Sequence, residues 1–360
     1  MLNIEESRQY RIAFHHLGFR PFFLFAGMHA TLAVLLWWWF YQYQPGVKLG
    51  NAMPVVFWHA HEMIYGYALA VIAGFLLTAV RNWTNVMTLH GTPLLLLALI
   101  WLAARLSPWV PVPNSVMLMA VLDLAFNLLL LISVMLPVLK VGQWTQAGII
   151  VLLLLLLAGN SLFYLGLLGY FVEGIRMGLY GGIYLVVLLI MVMGRRVIPF
   201  FIEKGVDEEV RLNNRVWLDI ATPILMVLFL ISTVFTEQHT LAASAALVLF
   251  VLQCLRLYDW HTPGIWRKPL LWSLYLAYGW LALGFLLHVL AVTLPISPML
   301  AVHAFTYGGI GLMTLSMMCR VALGHTGRNV FQPPSVLRWL FTVSYTHLRA
   351  HETVLDLVCR

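Results

Sequence analysis

Charge is what this chain has least of: 10% of its 360 residues are Asp, Glu, Lys or Arg, while 62% are hydrophobic. Soluble domains carry roughly a quarter charged residues, so a water-soluble globular body is excluded. Cysteine is scarce as well, with three in the chain and neither a CxxC nor a CxxCH among them. That excludes a cysteine metal cluster and a covalently attached c-type haem, and leaves packing as the role of Cys254 and Cys319. No long polar region exists either; the longest polar link is "RRVIPFFIEKGVDEEVRLNNR" at 195 to 215.

What the chain does have is apolar runs of membrane-crossing length. A hydrocarbon core about 30 Å thick needs about 20 apolar residues in a helix. Ten such runs occur: Pro21 to Tyr41, Trp58 to Val80, Thr92 to Leu106, Ser115 to Leu139, Gln146 to Leu168, Met177 to Val197, Trp217 to Phe235, Thr240 to Tyr258, Pro269 to Leu294 and Met299 to Leu323. Their hydrophobicity is continuous rather than alternating, which selects helices over a β-barrel. The expected fold is therefore an all-α, polytopic transmembrane helix bundle with about ten complete spans, a single domain over 1–344 whose inner link at about 195–216 separates two possible halves.

The N-terminal stretch "MLNIEESRQYRIAFHHLGFR" contains acids before its first apolar run, so no cleavable signal peptide is expected. Up to residue 334 the Lys and Arg residues fall fifteen on one side of the membrane and three (Lys48, Arg105, Arg176) on the other. The positive-inside bias predicts a cytoplasmic N-terminus in a bacterial inner membrane. It also accounts for the net charge of +7 without nucleic acid. After Val343 an eleventh apolar run is cut short by "SYTHLRAHETVLDLVCR", which resembles a translated sequencing-adapter read-through; residues 345–360 are expected to be non-native, and their histidines and cysteine carry no site argument.

The candidate site begins with "PVVFWHAHEM", residues 54 to 63, at the outer mouth of the second span. His59 and His61 diverge by about 200° on a regular helix, so they cannot both point into one site. One is expected in the N-terminal turn, where helix amides keep an imidazole neutral and fit for metal, with Glu62 orienting a ligating histidine or taking its proton. An aromatic and polar belt facing water is the alternative. His303 lies at similar depth in the tenth span, with Tyr307 at i+4 and with Gly308, Gly309 and Gly311 leaving room for a neighbouring helix or a flat macrocycle. His288 and His29 are further intramembrane candidates. Met313, Met317 and Met318 offer soft thioethers to copper(I), or simply packing.

On the inner side, Arg20, Arg195, Arg196, Arg320, His325 and Arg328 form a basic group that either follows topology or, at Arg320 and Arg328, binds an anion such as a haem propionate. Asp123 and Asn127 share a face of the fourth span, with Asn160 on the fifth. An acid about 12 Å deep requires a partner, an arginine or a proton path.

The ordered series "GFRPFF", "WHAHEM", "GFLLTAVRNWT", "GRRVIPFF" and "MTLSMMCRVALGHTGR", with His303 between the last two, resembles the NnrS family of bacterial membrane proteins. The resemblance covers about residues 14 to 330. Its matching polar positions are Arg20, His59, His61, Glu62, Asn82, Trp83, Arg195, Pro199, His303, Arg320, His325 and Arg328; His29 and His288 lie outside the motifs. It implies a non-covalent b-type haem and copper, nitric oxide as the small-molecule ligand, a lipid bilayer as partner and about twelve spans in the intact protein. Metal ligation by His59 or His61 together with His303, with Glu62, Tyr307 and Asp123 as supporting or proton-path groups, is the expected site. The function implied is to bind or help remove nitric oxide. The alternatives are a proton-coupled transporter or metal-handling permease, and a membrane sensor or assembly factor.

Overall fold

The computed structural model describes residues 14–44, 46–50 and 53–344. Ten helices among them are long and apolar enough to cross a membrane: Phe19–Tyr43, Val55–Thr84, Thr92–Trp109, Ser115–Val141, Trp144–Leu167, Gly174–Gly205, Val216–Phe235, His239–Trp260, Pro269–Thr293 and Met299–His325. They are called the first to tenth spans. The chain is an all-α polytopic helix bundle, and most ends fall within three residues of the apolar runs. The sixth is the exception. It continues eight residues past Val197 to Gly205, because Arg195, Arg196, Glu203 and Lys204 have side chains long enough to reach water while the backbone stays helical. Half of the 195–215 link is therefore helix.

Left-handed residues provide the stops. Asn85 (φ 56°) ends the second span and Gly142 (φ 67°) the fourth, each supplying the conformation that lets a cap amide fold back onto the last turn. Apart from helices, the described residues hold one two-residue antiparallel pair, Lys48–Leu49 with Met53–Pro54, between the first two spans.

Two compact units emerge, Met1–Leu185 and Val186–Arg360. In the first, the second span is the centre: 78% of its most apolar window is buried, against 22% for the first span. Glycines set the close approaches around it. A Cβ on Gly74 would come within 2.8 Å of the Phe23 ring, and one on Gly178 within 2.7 Å of the Gly159 carbonyl, so the fifth and sixth spans pack backbone to backbone. In the second unit glycines of the ninth and tenth spans seat large side chains of the facing helix, with Gly284 under Phe305 and Gly308 against Trp280.

Three spans contain a π-helical segment: Glu62–Ala68, Ile231–Phe235 and Ala304–Gly311. Nothing in hydropathy marks them, and π segments recur at functional sites.

Candidate functional site

The second span starts at Val55, three residues before the expected Trp58. His61 therefore sits nearly two turns inside rather than in the first turn, and the neutralising effect of the helix N-terminus does not reach it. The two histidines diverge as helical geometry requires. His59, half-buried, turns to the first span and stacks on Trp37 (4.6 Å between centroids, 15° between planes). His61 turns inward and is fully buried, stacked on Phe163 at 4.5 Å. One metal ion cannot take both, and the water-exposed belt does not describe His61 or Glu62, both 0% exposed.

Immediately after His61 the helix widens into the π segment, and Gly66 lies in its middle. A Cβ there would stand 2.7 Å from Arg105 Nη1, 2.8 Å from Glu62 Oε2 and 3.0 Å from His29 Nε2. The missing side chain is thus the space into which three polar groups converge. Trp101 closes that wall by donating its indole N–H to the Gly66 carbonyl (3.1 Å).

The groups so gathered form one network across five spans. Arg105 Nη2 donates to Asp123 Oδ1, and Nη1 lies 3.2 Å from both Glu62 oxygens. Glu62 Oε2 is 2.8 Å from His29 Nε2. Asp123 Oδ2 accepts from Asn160 Nδ2 (2.8 Å) and from the Tyr164 hydroxyl (3.2 Å). His61 bridges the two acids, its Nδ1 3.4 Å from Glu62 Oε1 and its Nε2 3.3 Å from Asp123 Oδ2 and 2.9 Å from Asn160 Oδ1. The partner that intramembrane Asp123 requires is therefore Arg105. Isolated charges at such depth would be prohibitive, so the arrangement persists because each acid meets a cation and several donors.

The remaining sequence-selected residues are not in this network. His303 is exposed in the tenth span and its Nδ1 donates to the Met299 carbonyl (2.8 Å). Tyr307, one turn on, is 42% exposed. Gly308 and Gly309 are filled by Trp280 and Leu281, so the glycine side of the tenth span is taken by the ninth span, and the open side of His303 is its exposed one. His288 stands edge-on to Phe229 at 4.9 Å. Met313 is buried and Met317 and Met318 are half-buried in the same tenth span.

At the far end of that span Arg320 lies over the Phe201 ring at 3.7 Å. It follows His303 by seventeen residues, about 25 Å along the axis, too far to hold the propionates of a haem on His303. His325 is half-buried and Arg328 exposed. Arg195 pairs with Asp219 (2.6 Å), which also takes Arg256 (2.9 Å), while Pro199 lies inside the sixth helix. Arg20 is half-buried in the first turn of the first span, Asn82 is exposed near the end of the second, and the Trp83 carbonyl accepts from Gln143 (3.2 Å). Among the described residues no group of three or more His, Cys, Asp or Glu could hold a metal ion.

Arg105, Tyr164, Trp101 and Gly66 are the network members that sequence reasoning passed over. Arg105 was legible in part. It is one of three cations on the minority side and ends the run "LLLLALIWLAARL", where an arginine facing an intramembrane acid was the pairing to test. No sequence signal distinguished Tyr164 or Gly66 from their many counterparts.

A family model described as NnrS protein matches residues 13–348. No curated protein and no solved structure matches the chain.

Proposed function

This chain belongs to the NnrS family, and on that premise we propose that it is a haem- and copper-carrying protein of the bacterial inner membrane, N-terminus in the cytoplasm, that binds or helps remove nitric oxide. The observation that carries the reading is the state of His303. Its Nδ1–H is committed to the Met299 carbonyl, which leaves Nε2 with the lone pair. A carbonyl behind one ring nitrogen is the usual way a protein orients a ligating imidazole. The ring is exposed on an apolar helix, a position from which a b-type haem could be met without covalent attachment.

The second-span histidines fit this role poorly. Both nitrogens of His61 face oxygen acceptors, so no lone pair is available to a metal, and the reading rests on His303 alone as the axial ligand. Copper enters on the family's account; with no three-donor group present among the described residues, it would have to be held by fewer protein donors than a closed site uses, with thioethers such as Met317 and Met318 suited to copper(I). When bound, the haem supplies the iron that takes nitric oxide, an apolar gas soluble in the bilayer.

Absorption spectra and metal analysis of purified protein test this. His303→Ala should abolish the Soret band in protein that inserts at normal levels, and His61→Gln should not. A Soret band that survives His303→Ala would sink the assignment.

A further inference from the structure

Arg320 differs from the other arginines of its unit in what it meets. Arg195, Arg215 and Arg256 each reach an aspartate, at 2.6, 2.7 and 2.9 Å. Arg320 is half-buried near the end of the tenth span and lies over the Phe201 ring, and among the described residues it has no hydrogen bond and no ion pair. An aromatic face attracts the cation but is no substitute for oxygen acceptors, so the five N–H donors of the guanidinium are unspent.

Those donors lie at the edge of a cleft. Arg320 lines it together with Lys268, Pro269, Leu271, Phe331 and Pro333, and no acidic residue is in its wall. Lys268 Nζ is 2.7 Å from Asp207 Oδ1, but that carboxylate is 67% exposed. The pair is therefore a weak surface one, and an ammonium with three donors retains capacity for a second acceptor. The ninth span begins at Pro269 and runs 25 residues, so the positive end of its dipole is part of the same wall. A guanidinium, an ammonium and a helix start around one opening all favour an anion.

We propose that this cleft binds a phosphate group, which Arg320 takes through paired N–H donors and Lys268 through its point charge. The surroundings favour the headgroup of an anionic phospholipid as its source. Trp266, two residues ahead of Lys268, is 48% exposed, and exposed tryptophans beside a span mark headgroup level. Leu271, Phe331 and Pro333 give the cleft an apolar side for the glycerol end of a lipid. Basic pockets at the ends of spans are where anionic headgroups are held. The site is independent of the nitric oxide reading, since Arg320 is about 25 Å along the helix from His303.

The test uses the full chain, purified in detergent and stripped of lipid. Its unfolding midpoint is followed while phosphatidylglycerol, phosphatidylcholine or inorganic phosphate is added. Phosphatidylglycerol should raise the midpoint saturably and phosphatidylcholine should not. Arg320→Gln should increase the half-saturating lipid concentration by about 10 to 100-fold, the weight of hydrogen bonds to a charged group. Arg320→Lys, which keeps the charge but loses the fork, should fall between the two. Arg211→Gln removes an exposed arginine outside the cleft and should leave the titration unchanged. Lys268 precedes the helix in an exposed pair, so Lys268→Gln, expected to weaken binding by a smaller factor, carries the test if Arg320→Gln fails to insert. Stabilisation by inorganic phosphate that Arg320→Gln abolishes would keep the phosphate site and move its source to solution. No response to phosphatidylglycerol or phosphate beyond that to phosphatidylcholine would overturn the proposal, and so would equal losses in Arg320→Gln and Arg211→Gln.

Discussion

The second and tenth spans share a local pattern and differ in nearly everything around it. Each has a histidine, His61 or His303, directly before a π segment, and each continues with Tyr-Gly at the fourth and fifth positions, Tyr65-Gly66 and Tyr307-Gly308. Yet His61 is fully buried between two acids, while His303 is exposed and, among the described residues, hydrogen-bonded only to its own helix. The same helical irregularity thus supports a closed ionic centre in one place and an outward imidazole in the other. What decides is the set of neighbours. The second span is flanked by Arg105 and Asp123, which compel a charged partner, whereas the ninth span sets Trp280 and Leu281 against the tenth.

The comparison breaks hardest at the arginines. Arg105→Gln would leave two buried carboxylates with one histidine between them, and losing one partner of a buried pair costs about 3–5 kcal/mol. Arg320 on the tenth span has an aromatic face beneath it instead of an acid. Arg320→Gln should cost only about 0.5–2 kcal/mol, the range of a cation–π contact. Thermal unfolding of the two variants in the same detergent measures the gap, and equal losses would mean that the Arg105 network is not the stability centre of its unit.

The paired glycines sharpen it. An added Cβ at Gly66 would meet Arg105 and Glu62 at 2.7 and 2.8 Å, and one at Gly308 would meet the Trp280 ring at 2.7 Å. Both Gly66→Ala and Gly308→Ala should cost about 1–3 kcal/mol as overpacking, so stability alone will not separate them. Ring-proton exchange at His61 should change in Gly66→Ala and stay as it was in Gly308→Ala. If both variants alter it equally, Gly66 is packing glycine and nothing more.

Sequence reading reached the ten spans, because continuous hydrophobicity and length determine them directly. It reached Asp123 and its need for a partner, an arginine or a proton path, since an intramembrane acid is costly wherever it lies. It did not reach the π segments, whose residues have no distinctive propensity, and so it took the mouth of the second span for a first turn when His61 lies two turns in. The site itself was read as metal-binding from residue type and shared depth. Depth along a helix is legible in sequence, but which way a side chain faces depends on where the helix begins. That start was misplaced by three residues at Val55, close to a full turn.

The smallest effect, and the most discriminating, lies at the tyrosines. Tyr65 is 0% exposed and its hydroxyl donates to the Gly178 carbonyl at 2.6 Å. That carbonyl lies where the fifth and sixth spans approach through Gly159 and Gly178, so water has no access to replace the lost donor. Tyr65→Phe should therefore cost about 1–3 kcal/mol, the desolvation penalty of a buried acceptor left without its partner. Tyr307 occupies the same place in the pattern but is 42% exposed. Tyr307→Phe should change stability by less than about 0.5 kcal/mol, as surface substitutions do. Unfolding midpoints of the two variants, measured side by side, decide the matter. A loss at Tyr307→Phe as large as at Tyr65→Phe would mean that the tenth span's outward face is covered in the membrane, and that the contrast between the two helices is one of partner rather than of exposure.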